Sequence, residues 1–181
     1  SRAMARAVRL DMGAPLVLAR QEQADAPLGH LRAFIADVKT QSVRETLPTG
    51  DVVTREPIGV CGLITPWNWP LSLIALKVIP AIAAGCTVVL KPSEYAPFSS
   101  VIYAELMHAA GFPAGVVQTL LIGADLVAEV IANPLVRGVA LTGSTDTGSK
   151  VGALAGAQIK TLVMELGGSD PYIVMPSADL S

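Results

Sequence analysis

Four short segments hold residues whose types and spacing could do chemistry. In Thr65-Pro66-Trp67-Asn68-Trp69-Pro70, two prolines and two indole rings hem in one short carboxamide. An asparagine so restrained can donate from its NH2 group to an oxygen that gains negative charge during a reaction. It can equally cap a turn or a helix. In Lys91-Pro92-Ser93-Glu94 a cation and a carboxylate follow an apolar run. The carboxylate can accept both hydroxyls of a ribose while the lysine bonds the same sugar, or the two charges can form a weak ion pair in a solvated loop. The run from Thr142 through Gly143 and Ser144 to Lys150 leads small residues into a helix, whose free N–H groups and positive end suit a phosphate. It nearly matches the P-loop pattern GxxxxGK[ST], but Ser149 and Lys150 are exchanged. That exchange removes the placements of lysine and hydroxyl that nucleotide hydrolysis needs. Lastly, Val163-Met164-Glu165-Leu166-Gly167-Gly168 ends an uncharged run on one carboxylate. Desolvated there, Glu165 could serve as a general base near neutral pH; in water it would be an ordinary strand-end glutamate. His30 and His108 have no partners at catalytic or metal-ligand spacing and read as surface or helix-face residues.

The elements that must position these groups follow from periodicity and breakers. Residues 3–39 read as helical, with apolar residues at helical spacing and a break at Met12-Gly13-Ala14-Pro15. Residues 47–51 form a turn, 52–54 a short strand, and 58–64 a second β-rich run. Beyond them the pattern alternates. Helices are expected over 71–84, 97–110, 124–132 and 147–157, and strands over 87–91, 116–122, 139–142, 161–165 and 172–175. Short β-branched runs alternating with such helices describe βαβ units around a parallel sheet. Three of the four segments then fall just after a strand and Glu165 at the end of one, and ligands of open parallel sheets bind at those carboxyl ends.

Composition agrees. Of 181 residues 51% are hydrophobic and 15% charged, and the mean hydropathy is +0.52. Strands covered on both faces carry such continuous apolar runs, and a disordered chain does not. A formal charge of −2 offers no field for nucleic acid or anionic lipid. The 34 residues between Glu56 and Lys91 carry one charge, Lys77, and could span a bilayer by length. Four breakers (Pro66, Pro70, Pro80 and Gly85) and a lysine near the middle argue against it. The N-terminus does not read as a signal peptide. Cys61 and Cys86 lack metal-ligand spacing and read as buried thiols of a reducing, cytoplasmic setting.

Taken in order, PWNWP, KPSE, TGSTDTG and ELGG resemble the aldehyde dehydrogenase superfamily, and the linking segments REPIGVCGLIT, AAGCTVVL and AAGFPAGVV resemble it too. The resemblance implies a doubly wound, Rossmann-like domain that binds NAD, or NADP, without the GxGxxG fingerprint. It implies that Asn68 helps form an oxyanion hole and that Glu165 activates water. Lys91 and Glu94 would hold the adenosine ribose, Glu94 disfavouring the 2′-phosphate of NADP. Ile64, Thr65, Trp67, Ser93, Gly123, Gly143, Ser144 and Leu166 would complete the cofactor site. The implied mechanism has a cysteine thiolate attack the aldehyde, hydride pass to the nicotinamide, and water release the acid from a thioester. Neither Cys61 nor Cys86 matches the family's nucleophile, which lies a few tens of residues beyond the ELGG glutamate; here 16 residues follow Glu165. The chain is therefore expected to be an internal piece of such an enzyme, inactive alone, with its catalytic domain elsewhere. Residues 1–41 would be N-terminal helices, about 50–60 a strand pair leading from an arm that joins homodimers or homotetramers, and 61–181 the Rossmann-like units. A non-catalytic nucleotide-binding or structural member is the alternative. Ser169-Asp170-Pro171 after ELGG looks like some succinate-semialdehyde-type members, and the substrate is left open.

Overall fold

The structure, a computed structural model, describes residues 2–180. An N-terminal helical layer comes first: α1 (Arg2–Met12), a short α2 (Leu16–Leu18) that runs into a π-helical turn (Ala19–Gln23), and α3 (Ala26–Val38). Gly13, at φ 70°, makes the break after α1, a conformation that glycine takes without penalty. A hairpin of β1 (Arg44–Thr46) and β2 (Val52–Thr54) comes next, paired antiparallel with Glu45 opposite Val53. Both of its strands are exposed throughout. The rest is an alternating α/β unit: β3 (Val60–Ile64), α4 (Pro70–Ala83), β4 (Thr87–Lys91), α5 (Pro97–Ala109), β5 (Val117–Thr119), a 3-10 turn (Ala124–Leu126) leading into α6 (Val127–Ala132), β6 (Val136–Thr142), α7 (Thr145–Ala157) and β7 (Thr161–Glu165).

The five later strands form one parallel sheet in the order β5-β4-β3-β6-β7. The chain starts in the middle, winds outward through β4 and β5, then returns to lay β6 on the other side of β3. This is the doubly wound arrangement, and its switch point lies between β3 and β6, where a crevice opens beyond the carboxyl ends. Each face of the sheet has its own core. On one, Leu63, Val88 and Leu90 pack with Leu71, Ile74 and Val78 of α4 and with Val8 of α1. On the other, Val139 and Leu141 pack with Ile131 of α6 and Val151 and Ala155 of α7. Burying one such aliphatic side chain contributes about 1.5–3 kcal/mol. The helical layer is tied down by Asp11, whose carboxylate oxygens accept from the N–H groups of Phe98 (3.0 Å) and Ser99 (2.7 Å) at the start of α5. No helix among the described residues is long and apolar enough to cross a membrane.

The structure departs from the sequence expectations in four places. The partner of β2 is β1, a strand whose Arg44-Glu45-Thr46 hides among charged residues, and β3 belongs to the parallel sheet instead of pairing over 50–60. β6 begins at Val136, three residues early; Arg137 and Gly138 break the apolar run there, and Gly138 gives Ile58 room to cover the strand, since a Cβ at Gly138 would lie 2.7 Å from Ile58 Cδ1. β5 ends at Thr119, and residues 120–122 run on as loop. Residues 172–175 are not a strand: Tyr172 and Ile173 stand 92% and 80% exposed, and no described strand pairs with them.

Candidate active site

Every expected site residue lies at, or just beyond, the carboxyl end of a sheet strand. Ile64 ends β3, and Thr65 next to it is buried with its N–H on the Lys91 carbonyl at 3.2 Å. The Thr65 hydroxyl has no partner among the described residues. The chain then bends through exposed Trp67, Asn68 and Trp69 before α4 starts at Pro70. Trp69 is the N-cap and no side chain caps the helix, so the capping role open to Asn68 is not the one it fills. Its carboxamide makes no hydrogen bond among the described residues, while its backbone carbonyl accepts from Gln23 Nε2 at 3.3 Å.

The ends of β4 and β5 form a pocket of about 200 Å3 lined by Pro92, Ser93, Glu94, Pro97, Leu121, Ile122 and Gly123. The two strand ends are locked together by the Leu120 N–H on the Leu90 carbonyl at 2.8 Å. Gly123 leaves the room: a Cβ there would lie 3.1 Å from Glu94 Oε1 and 2.2 Å from Asp125 Oδ1. Lys91 is buried and forms no ion pair with Glu94, which removes the weak surface pair as an account of the KPSE segment. Lys91 lies with Ile64 and Val89 beside α6, on the sheet face opposite α4.

Beyond β6, Ser144 caps α7, accepting from the Thr147 N–H at 3.2 Å. Lys150 pairs instead with Asp146 one turn away at 2.7 Å, both side chains more than 70% exposed. Lys150 thus lies along the surface of α7, as the exchange of Ser149 and Lys150 relative to the P-loop pattern leads one to expect. Gly143 donates its N–H to the Glu165 carbonyl at 3.0 Å, and Gly148 comes so close to Leu166 that a Cβ would meet Cδ2 at 2.4 Å. The ends of β6 and β7 and the first turns of α7 thus meet at one corner.

At that corner Glu165 is exposed, not desolvated as the sequence allowed, and its Oε2 accepts from the Thr142 hydroxyl at 3.1 Å. Thr142 is a contributor that sequence reasoning passed over. Lys77 is another. It is buried on α4; that burial pushes its ammonium below its ordinary 10.5, while the negative charge of Glu165 pulls it back up. The signal for it was a lone lysine in a long uncharged stretch, which bore only on the membrane question. His30 is also more than a helix-face residue, its Nε2 lying 3.1 Å from Ser72 Oγ and joining α3 to α4. Among the described residues no cluster of His, Cys, Asp and Glu could hold a metal ion.

The structure therefore brings Ser93, Glu94 and Gly123 into one pocket and Thr142, Gly143, Glu165 and Leu166 into one corner. Asn68 stands at the end of β3, next to the switch point. Comparison with known proteins bears on this arrangement. The chain is 48% identical to 3-succinoylsemialdehyde-pyridine dehydrogenase of a Pseudomonas species, over 98% of this chain and 37% of that protein. It is 40% identical to the NADP succinate-semialdehyde dehydrogenase GabD of Escherichia coli, over 98% of this chain and 38% of that one. A solved aldehyde dehydrogenase C mutant of Pseudomonas syringae, in complex with NAD+ and octanal, superposes with a TM-score of 0.89 at 43% identity, covering 97% of this chain and 36% of that one. This chain thus spans under two-fifths of the length of these relatives. The aldehyde dehydrogenase family model matches all of residues 1–181, and the chain belongs to that family.

Proposed function

We propose that this chain is the cofactor-binding part of an aldehyde dehydrogenase that oxidises an aldehyde to a carboxylic acid with NAD. The observation that carries the reading is the pocket between the β4 and β5 ends, where Glu94 faces the open side of Gly123. A carboxylate there suits the two hydroxyls of a ribose and repels a 2′-phosphate, which favours NAD over NADP. The unpartnered buried hydroxyl of Thr65, at the end of β3, fits a polar ligand in the crevice at the switch point. NAD, when bound, supplies the hydride acceptor.

This chain's own residues divide the remaining work. Ile64, Thr65, Trp67, Lys91, Ser93, Glu94, Gly123, Gly143, Ser144 and Leu166 form the cofactor side. The free carboxamide of Asn68 donates to the aldehyde oxygen as it gains charge. Glu165 takes a proton from water for hydrolysis of the acyl enzyme, held in aim by Thr142. The reading requires a nucleophilic cysteine from outside residues 1–181, since burial and the adjacent Cys86 thiol push the Cys61 thiol up to about 11. Two free thiols this close suit a reducing cytoplasm. The exposed β1–β2 hairpin, with Val43, Val52 and Val53 uncovered, suits pairing with a second copy in a homo-oligomer.

The test is aldehyde-dependent NADH formation by the whole polypeptide encoded around these residues, with semialdehydes and aliphatic aldehydes as substrates. NADH formed in proportion to aldehyde supports the reading. NAD binding without turnover would favour a non-catalytic family member, and absence of both would contradict the proposal.

A further inference from the structure

Gln23 is the largest polar side chain among the fully buried ones, 1% exposed. It closes the π-helical turn Ala19–Gln23, in which the Ala24 N–H reaches back five residues to the Ala19 carbonyl at 3.1 Å. Such a turn inserts one residue into a helix and rotates the residues after it by roughly 100° relative to an uninterrupted one. Here it accompanies an amide placed in the interior. The amide is half satisfied: Nε2 donates to the Asn68 carbonyl at 3.3 Å, and Oε1 has no partner among the described residues.

Core packing does not call for this. A buried amide with an orphan oxygen is worse for stability than an apolar side chain of the same size. The amide instead reaches the peptide between Asn68 and Trp69, across 45 residues of chain. Among the described residues no other hydrogen bond reaches residues 66–68, the stretch from which the Asn68 carboxamide projects. The Asn68 carbonyl and the Asn68 side chain share one Cα, so the bond from Gln23 restrains the backbone from which the carboxamide projects.

We infer that Gln23 is a positioning residue, which aims the Asn68 carboxamide by holding the Asn68 backbone carbonyl. The inference rests on the dehydrogenase reading above. Its consequence is a residue of the N-terminal helical layer that affects the chemical step without touching substrate or cofactor.

The test is kinetic, in the whole polypeptide, with Gln23→Met and Gln23→Leu, which keep the volume and lose the donor. Each should lower kcat roughly ten- to a hundredfold with the dissociation constant for NAD unchanged. Melting temperature should stay level or rise, since the orphan oxygen is gone. In a double-mutant cycle, Gln23→Met should add less than about threefold to the loss caused by Asn68→Ala alone. An active parent whose kcat is unchanged by both substitutions would overturn the inference, and so would full additivity with Asn68→Ala. Failure of both variants to fold would also overturn it, by showing that Gln23 serves the core. An inactive parent would instead count against the dehydrogenase reading and take this inference with it.

Discussion

The Thr142 hydroxyl donates to Oε2 of Glu165 at 3.1 Å, and the two residues are direct partners on the last rung between β6 and β7. The bond orients the carboxylate. Thr142→Val keeps the shape and removes the donor. Without it the carboxylate loses its fixed aim at the water, so acyl-enzyme hydrolysis should slow about tenfold. The first turnover of NADH should keep its rate, because water activation comes after it. Stopped-flow traces of the whole polypeptide separate the two; a slowed first turnover would place Thr142 elsewhere in the mechanism.

Gly123 sets the room in the pocket beside Glu94. Gly123→Val puts a branched side chain where even one carbon lies 3.1 Å from Glu94 Oε1. NAD affinity should fall about tenfold or more, as expected for blocking a shaped pocket, with the melting temperature of the cofactor-free protein little changed. Calorimetric titration with NAD measures it, and unchanged affinity would remove this pocket from the cofactor site.

The sheet was legible in the sequence because buried parallel strands such as Thr87–Lys91 are continuous apolar runs with clear ends; Thr161–Glu165, exposed at the sheet edge, showed in the same way as an uncharged run closed by one carboxylate. The carboxyl-end placement of Glu94, Ser144 and Glu165 came from those ends. Contacts between distant segments were not legible. Gln23 sits in the polar string Arg20-Gln21-Glu22-Gln23, which looks solvated, and only the π-helical turn accompanies its burial. Arg44-Glu45-Thr46 becomes a strand through its hairpin partner, with Arg55 bonding Glu45 at 3.2 Å, and not through its own propensity.

Lys77 should make the protein less stable at neutral pH than an apolar residue would. Burial holds its folded-state value below the unfolded 10.5, so between those values the unfolded chain binds more protons. Stability therefore rises as pH climbs through that window, and the penalty is full below it. Lys77→Met should raise the melting temperature at pH 7 by roughly 2–4 °C, a gain that shrinks toward pH 10.5. Thermal melts across pH check both the sign and the trend. A lower melting temperature at pH 7 would mean that the attraction of Glu165 outweighs desolvation.

Cys61 has the opposite sign. Its thiol, ordinarily at 9.0, is held up to about 11 by burial and by the Cys86 thiol beside it. The folded state then keeps a proton that the unfolded state loses, so this contribution to stability is complete below pH 9.0 and is lost as pH rises through about 11. At pH 7–8 alkylation of Cys61 by iodoacetamide should be far slower than that of a free thiol. Mass spectrometry of the labelled peptide tests this; rapid labelling in the folded state would contradict it.

The most direct measurement is the NADH burst of Glu165→Gln in the whole polypeptide. Glutamine keeps the size of the side chain and can still accept from Thr142, but it cannot take a proton from water. The account predicts one NADH formed per active site at near the parent rate, followed by steady-state turnover lowered by two orders of magnitude or more, roughly the loss of a general base. Steady-state turnover equal to the parent's, with the same burst, would contradict the role given to Glu165 and with it the central claim.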